Sequence, residues 1–301
     1  MTISGETGGL EDYNKVLSTR IVSSIFGIAL VSFVVFSGTT ALGIGIFVLS
    51  IIGLYEFYSI AEKKGYRPVK FVGYLSCFSI LFLGMKGEAN LIKHYIPIVG
   101  IPDFRLTYYF CFGVYIIILI LLMASIFFKH KYNFVDISIT TFGMLYVTFL
   151  FSFIVLTRNL EFGKLFIWLI FISAWATDSS AYFIGRAMGK HKLIPSVSPK
   201  KTVEGAIAGV CGCMLAAGLF GSYIVTNFAH ITVPHFHYVI IGLLNGIFSQ
   251  MGDLAASSIK RFADVKDYGK IIPGHGGVLD RFDSTLLIAP TVYFYITMLL
   301  K

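Results

Sequence analysis

The sequence predicts an all-α polytopic membrane protein of about nine transmembrane helices, its N-terminus cytoplasmic and its C-terminus outside. Three observations predict it. Apolar residues make up 56% of the 301, only 13% are charged, and the mean hydropathy is +0.80, which is not the composition of a water-soluble domain of this length. Continuous uncharged runs, long enough for a helix to cross roughly 30 Å of hydrocarbon, recur at 108–128, 137–157 and 205–229. The basic residues gather in alternate loops. A transmembrane β-barrel would instead alternate apolar and polar residues in segments of about ten.

Taken in order, the apolar windows give spans at about 21–36, 41–60, 69–84, 106–128, 134–156, 163–184, 203–226, 236–258 and 284–300. The first two come from a 35-residue uncharged stretch, Ile21 to Tyr55, which is too long for one span and is broken at Ser37-Gly38-Thr39-Thr40; it reads as a helical hairpin. With the N-terminus inside, 18 of the 24 Lys and Arg residues are cytoplasmic, and Lys86, Lys93, Arg105, Arg158, Lys164 and Lys301 are outside. The first 20 residues carry five charges and lack the short apolar core of a secretory signal, so the N-terminus is expected to be retained. Cys77, Cys111, Cys211 and Cys213 lie inside apolar windows, where packing is their expected role. No internal repeat or soluble domain is evident. The chain reads as one integral membrane domain, with residues 1–160 a lipid-facing scaffold of transmembrane helices and 161–301 a catalytic part with two basic cytoplasmic loops.

The chemistry concentrates after residue 170. Asp178 and Asp253 fall in or at the cytoplasmic ends of apolar spans, where an acid is costly unless it faces protein, water or a cation. Asp253, Ser257 and Lys260 are spaced to share one helix face, and Gly252 permits a close approach. In the loop SVSPKKTVEG, Ser198 followed by Pro199 predicts a helix start, with Lys200, Lys201 and Thr202 in the first turn and free N–H groups for an anion. The stretch from Lys260 to Asp283, KRFADVKDYGKIIPGHGGVLDRFD, has nine charges in 24 residues. Gly274, Gly276 and Gly277 around His275 allow close backbone approach, and Asp280, Arg281 and Asp283 follow. Carboxylates on two segments, ringed by bases, suit a hard cation such as Mg²⁺ holding nucleotide phosphates. Phosphoryl-type chemistry on the cytoplasmic face is thereby indicated. There is no Walker A sequence, no zinc spacing and no Ser-His-Asp arrangement, and nothing indicates a nucleic-acid partner.

The segment Ser257–Asp283, SSIKRFADVKDYGKIIPGHGGVLDRFD, resembles the C-terminal pattern of the phosphatidate cytidylyltransferase (CDP-diacylglycerol synthase) family, S-x-x-K-R-x4-K-D-x-G-x3-P-G-H-G-G-x-x-D-R-x-D, at every fixed position. GDLAASSIKR, SPKKTVEG and DSSAYFIGR resemble further motifs of that family, so the likeness covers about residues 170–290. It implies an enzyme in which phosphatidic acid attacks the α-phosphate of CTP, giving CDP-diacylglycerol and pyrophosphate. It implies Mg²⁺ and a second, monovalent cation (K⁺), and a site at the cytoplasmic face of the cell (inner) membrane.

Residue by residue, Asp253 and Asp280 become the first metal ligands, with Asp283 and Asp178 after them. Lys200, Lys201, Lys260, Arg261, Lys266 and Arg281 become phosphate contacts, with Ser198, Ser257 and His275 orienting them. Catalysis is assigned to Asp253, Asp280, Lys260, Arg281 and His275, and CTP contact extends to Gly274, Gly276 and Gly277. One departure is Ala256, where many bacterial members carry Glu, which leaves the metal expectation on the aspartates. Competing readings are a cytidylyltransferase for another lipid phosphate and, in a different class, a secondary transporter with intramembrane aspartates. The oligomeric state, homodimer included, is left open.

Overall fold

The computed structural model describes residues 27–95, 131–229, 233–272, 274 and 276–299, with short helical pieces between 116 and 127. The main helices are α1 (Gly27–Ser37), α2 (Thr39–Lys63), α3 (Lys70–Tyr95), α4 (Phe134–Arg158), α5 (Gly163–Met188), α6 (Val203–Phe228), α7 (His235–Phe262) and α8 (Leu279–Leu299). Six of them, α2 and α4 to α8, are long and apolar enough to cross a membrane; α1 and the first 16 residues of α3, Lys70–Met85, are shorter apolar helices. Most of the expected span 106–128 lies outside the described residues, as do residues 1–26 and His275.

Helix ends differ from the apolar windows in one consistent way. α7 runs on to Phe262 and α8 begins at Leu279, so Lys260, Arg261, Asp280, Arg281 and Asp283 are helical although they lie outside the apolar windows. The break in the first hairpin falls at Gly38, whose φ of 128° suits glycine alone.

The expected helix start at Ser198 is corrected by the structure. Ser198–Thr202 is a strand, β2, paired antiparallel with β1 (Lys192–Ile194), and α6 starts only at Val203. Thr202 is the actual cap: its backbone is extended and its Oγ1 accepts from Gly205 N at 3.2 Å. Pairing with β1 at Ser198 and Thr202 holds this segment extended, so Ser198 does not start a helix.

α5 packs most extensively on α6, which in turn packs on α7, and α7 on α8; α8 also lies on α4 and α5. Small residues set these approaches. A Cβ at Gly209 of α6 would meet the Thr177 carbonyl and the Ala181 side chain of α5, both at 3.1 Å. Buried Asn245 of α7 donates to Ser173 Oγ of α5 at 2.9 Å. A continuous apolar core includes Leu54, Phe151, Ile154, Ile170, Leu286 and Val292. Cys77 and Cys213 are buried and unbridged within the helix packing.

Gly252 of α7 faces the Asp283 carbonyl and Ser284 Cα of α8, where an added Cβ would collide with backbone. Gly252→Leu is expected to cost about 1–3 kcal/mol by overpacking, read as a lowered melting temperature in detergent. An unchanged melting temperature would contradict this close approach.

Candidate active site

Four elements deliver the polar residues to one end of the bundle. Asp178 lies toward the C-terminal end of α5, Lys201 precedes α6, Asp253 to Lys260 form the last turns of α7, and Asp280 to Asp283 form the first turn of α8. Consecutive helices alternate direction, so all these positions meet at the same membrane face.

Lys201 Nζ pairs with Asp253 Oδ2 at 2.6 Å, and Ser257 Oγ donates to Asp253 Oδ1 at 3.2 Å. An ammonium group thus already sits against Asp253 where a cation would be held. Lys200 and Lys201 are neighbours in an extended strand, so they face opposite ways: Lys201 reaches Asp253 and Lys200 is exposed. Asp178 is exposed at this end and lies within electrostatic reach of Asp253, Lys201 and Arg281. Asp283 lies within reach of Asp253, Asp178 and Lys260, and its Oδ1 accepts from Ser284 N at 2.7 Å.

Asp280 has a different setting. Its Oδ1 accepts from Lys260 Nζ at 2.8 Å, and its Oδ2 accepts from the backbone N–H groups of Tyr268 and Gly277 at 2.8 and 2.9 Å. The pair is deeply buried, with Lys260 12% and Asp280 5% exposed. Lys260 Nζ also stands 5.4 Å from the centre of the Tyr268 ring. Asp280 therefore pins the loop 263–278 to the end of α7. Tyr268 is buried, donates from its hydroxyl to the Ala256 carbonyl at 3.3 Å, and has its phenol pushed well up by burial, so it stays a neutral donor.

The loop itself folds back through Ile272 N bonded to the Gly276 carbonyl at 2.9 Å, with positive φ at Gly274 (73°) and Gly276 (84°). Lys266, Asp267, Lys270, Gly274, Gly276 and Arg281 line a polar cavity of about 390 Å³. Arg261 donates to the carbonyls of Val197 and Val265, tying the β1–β2 hairpin to this loop. Ser198 is half-buried at the start of β2.

One contributor was not expected. Glu56 of α2 is 1% exposed, and its two carboxylate oxygens accept from Val278 N and Leu279 N, both at 2.9 Å. It serves as the N-terminal cap of α8, supplied from 222 residues away. Added Cβ atoms at Gly269 or Gly277 would come to 2.5 Å from Glu56 Oε1, so both glycines are required by its presence. The signal was available: Glu56 is an acid inside an expected span, the same feature that singled out Asp178 and Asp253. Glu56→Leu is expected to reduce activity more than tenfold, because two buried N–H groups at the start of α8 are orphaned. Glu56→Gln, which keeps an acceptor, should retain more. Equal loss in both variants would show that the charge, and not the cap, is what matters.

Among the described residues no three His, Cys, Asp or Glu groups stand together as a ready-made metal cage. The donor set still fits Mg²⁺, which is commonly held by one or two carboxylates together with substrate phosphates. Asp253, Asp283 and Asp178 lie within electrostatic reach of one another, and Lys201 Nζ sits against Asp253.

Residues 18–299 match the Cytidylyltransferase family. A phosphatidate cytidylyltransferase of Staphylococcus saprophyticus is 32% identical over 87% of this chain and 94% of that protein. One of Synechocystis sp. is 32% identical over 93% of this chain and 97% of its own length. One of Bacillus subtilis is 38% identical over 60% of this chain, a match that spans 66% of that protein and so just under two thirds of it.

Proposed function

The chain belongs to the cytidylyltransferase family, and from that premise we propose how its residues make CDP-diacylglycerol from CTP and phosphatidic acid. A phosphate oxygen of phosphatidic acid attacks the α-phosphorus of CTP; the new P–O bond forms as the bond to the β-phosphate oxygen breaks, and pyrophosphate leaves. The attacking phosphate is already ionised at neutral pH, so no general base is required. The work lies in placement and charge.

The observation that carries this reading is the meeting of Asp178, Asp253 and Asp283 with Lys201, Lys260 and Arg281 at one membrane face. Asp253 and Asp283 would hold Mg²⁺ together with substrate phosphates, and the ion when bound would neutralise triphosphate charge; Asp178, within electrostatic reach of Asp253, leaves charge for a second, monovalent cation such as K⁺. Lys201 is positioned to pass from Asp253 to a phosphate when substrate arrives. Arg281, Lys266 and the loop backbone at Gly274 and Gly276 border the polar cavity that receives the triphosphate. Asp280, with its acceptors taken by Lys260 and two N–H groups, acts by holding that loop. A nine-span topology with the N-terminus inside, which the distribution of Lys and Arg supports, would put this face in the cytoplasm, where CTP is available, and let phosphatidic acid arrive laterally from the bilayer. A homodimer would leave this site complete within each chain.

The test is transfer of label from α-labelled CTP into solvent-extractable lipid, with Mg²⁺ and a panel of lipid phosphates. Label is expected with phosphatidic acid and only with the metal. No labelled lipid from any acceptor would overturn the reading, and preference for an archaeol-type phosphate would redirect it.

A further inference from the structure

The end of the bundle opposite the aspartates holds a second cavity, of about 660 Å³, where the C-terminal ends of α1, α4 and α6 meet the start of α5. Its walls are apolar and aromatic, with Phe36, Trp168, Phe220, Ile224 and Phe228 among them. Two cations, Arg158 and Lys164, also line it, and no acid does. Arg158 is 7% exposed, yet its one hydrogen bond among the described residues runs from Nε to the Val35 carbonyl at 3.4 Å. No carboxylate pairs with it among those residues. A buried guanidinium without a countercharge is costly in any protein, and more so beside hydrocarbon. A mostly apolar cavity of this volume with two bases in its lining has the size and polarity of a site for an anionic amphiphile.

We propose that this cavity binds one anionic phospholipid from the leaflet on the side of the membrane away from the active site. Its phosphate lies against Arg158 and Lys164, and an acyl chain lies along Trp168, Phe220 and Ile224. A free phosphate would leave the aromatic walls unused, which is why the occupant is a lipid. The proposal needs neither CTP nor any catalytic residue, so it stands or falls apart from the enzymatic reading.

The purified chain, delipidated in neutral detergent, would be examined by native mass spectrometry and thermal denaturation with phosphatidylglycerol, phosphatidylcholine or inorganic phosphate. One phosphatidylglycerol per chain is expected to be retained and to raise the melting temperature, with neither phosphatidylcholine nor inorganic phosphate doing so. Lys164→Gln, an exposed position that should not disturb folding, is expected to weaken retention about fivefold. Ile224→Trp, which fills the cavity, should abolish it, and Lys201→Ala at the other face should leave it unchanged. Equal retention of phosphatidylcholine, the same stabilisation by inorganic phosphate, or undiminished binding in both Lys164→Gln and Ile224→Trp would overturn the proposal. So would loss of binding in Lys201→Ala, which would place the lipid in the active site.

Discussion

Replacing Asp253 by Asn is expected to lower cytidylyl transfer by about 10²–10³-fold while leaving the protein inserted and packed. The amide keeps the shape of the carboxylate and can still accept from Ser257, so the last turns of α7 should hold. What goes is the negative charge. Lys201, 2.6 Å from Asp253 Oδ2, loses its counterion, and the oxygen set proposed for the metal loses a central member. The loss should therefore deepen at low Mg²⁺ and be partly relieved at high Mg²⁺. Lys201→Ala separates the two effects: it should raise the apparent KM for CTP with a smaller change in Mg²⁺ demand. Near-normal turnover by Asp253→Asn at low Mg²⁺ would remove Asp253 from the metal site.

Breaking the Lys260–Asp280 pair should be nearly as severe, by another route. Both side chains are almost fully enclosed, so Lys260→Met leaves the Asp280 carboxylate buried without its countercharge, at a cost on the order of 3–5 kcal/mol. The segment 263–278, held by Asp280 through the N–H groups of Tyr268 and Gly277, should then open and become sensitive to protease. Asp280→Asn should do the same. Because the two residues act as one unit, the double variant should lose little more than either single one. Additive losses would instead mean that Asp280 also acts directly on metal or substrate.

Much of this was legible in the sequence, for local reasons. Helices α4 to α7 begin within a few residues of the apolar windows at 134, 163, 203 and 236, because in a bilayer the backbone must satisfy its own hydrogen bonds and hydropathy then marks the helix. Asp178 and Asp253 stood out because acids in apolar runs are costly, and the structure brings them into electrostatic reach of one another. The strand at Ser198–Thr202 was not legible, since Ser-Pro is an equally good helix start and only pairing with Lys192–Ile194 decides between them. The two settings of Asp280 and Asp283 were not legible either. They are three residues apart on one helix, and what separates them is which partners fold over each: Lys260 and two loop N–H groups for Asp280, its own helix for Asp283. Glu56 shows the same limit at its extreme, because its partners lie 222 residues further along the chain.

That last contact also bears on how the protein is made. At about 5–20 residues per second, roughly 10–45 s pass between synthesis of Glu56 and of the amides it caps. Through that interval α2 is in the membrane carrying an acid with no donors, and the glycine loop does not yet exist. A half-finished chain therefore has no means of assembling the polar cavity bordered by Lys266, Lys270 and Arg281, and a ribosome that stalls before residue 279 leaves that end of the bundle unbuilt.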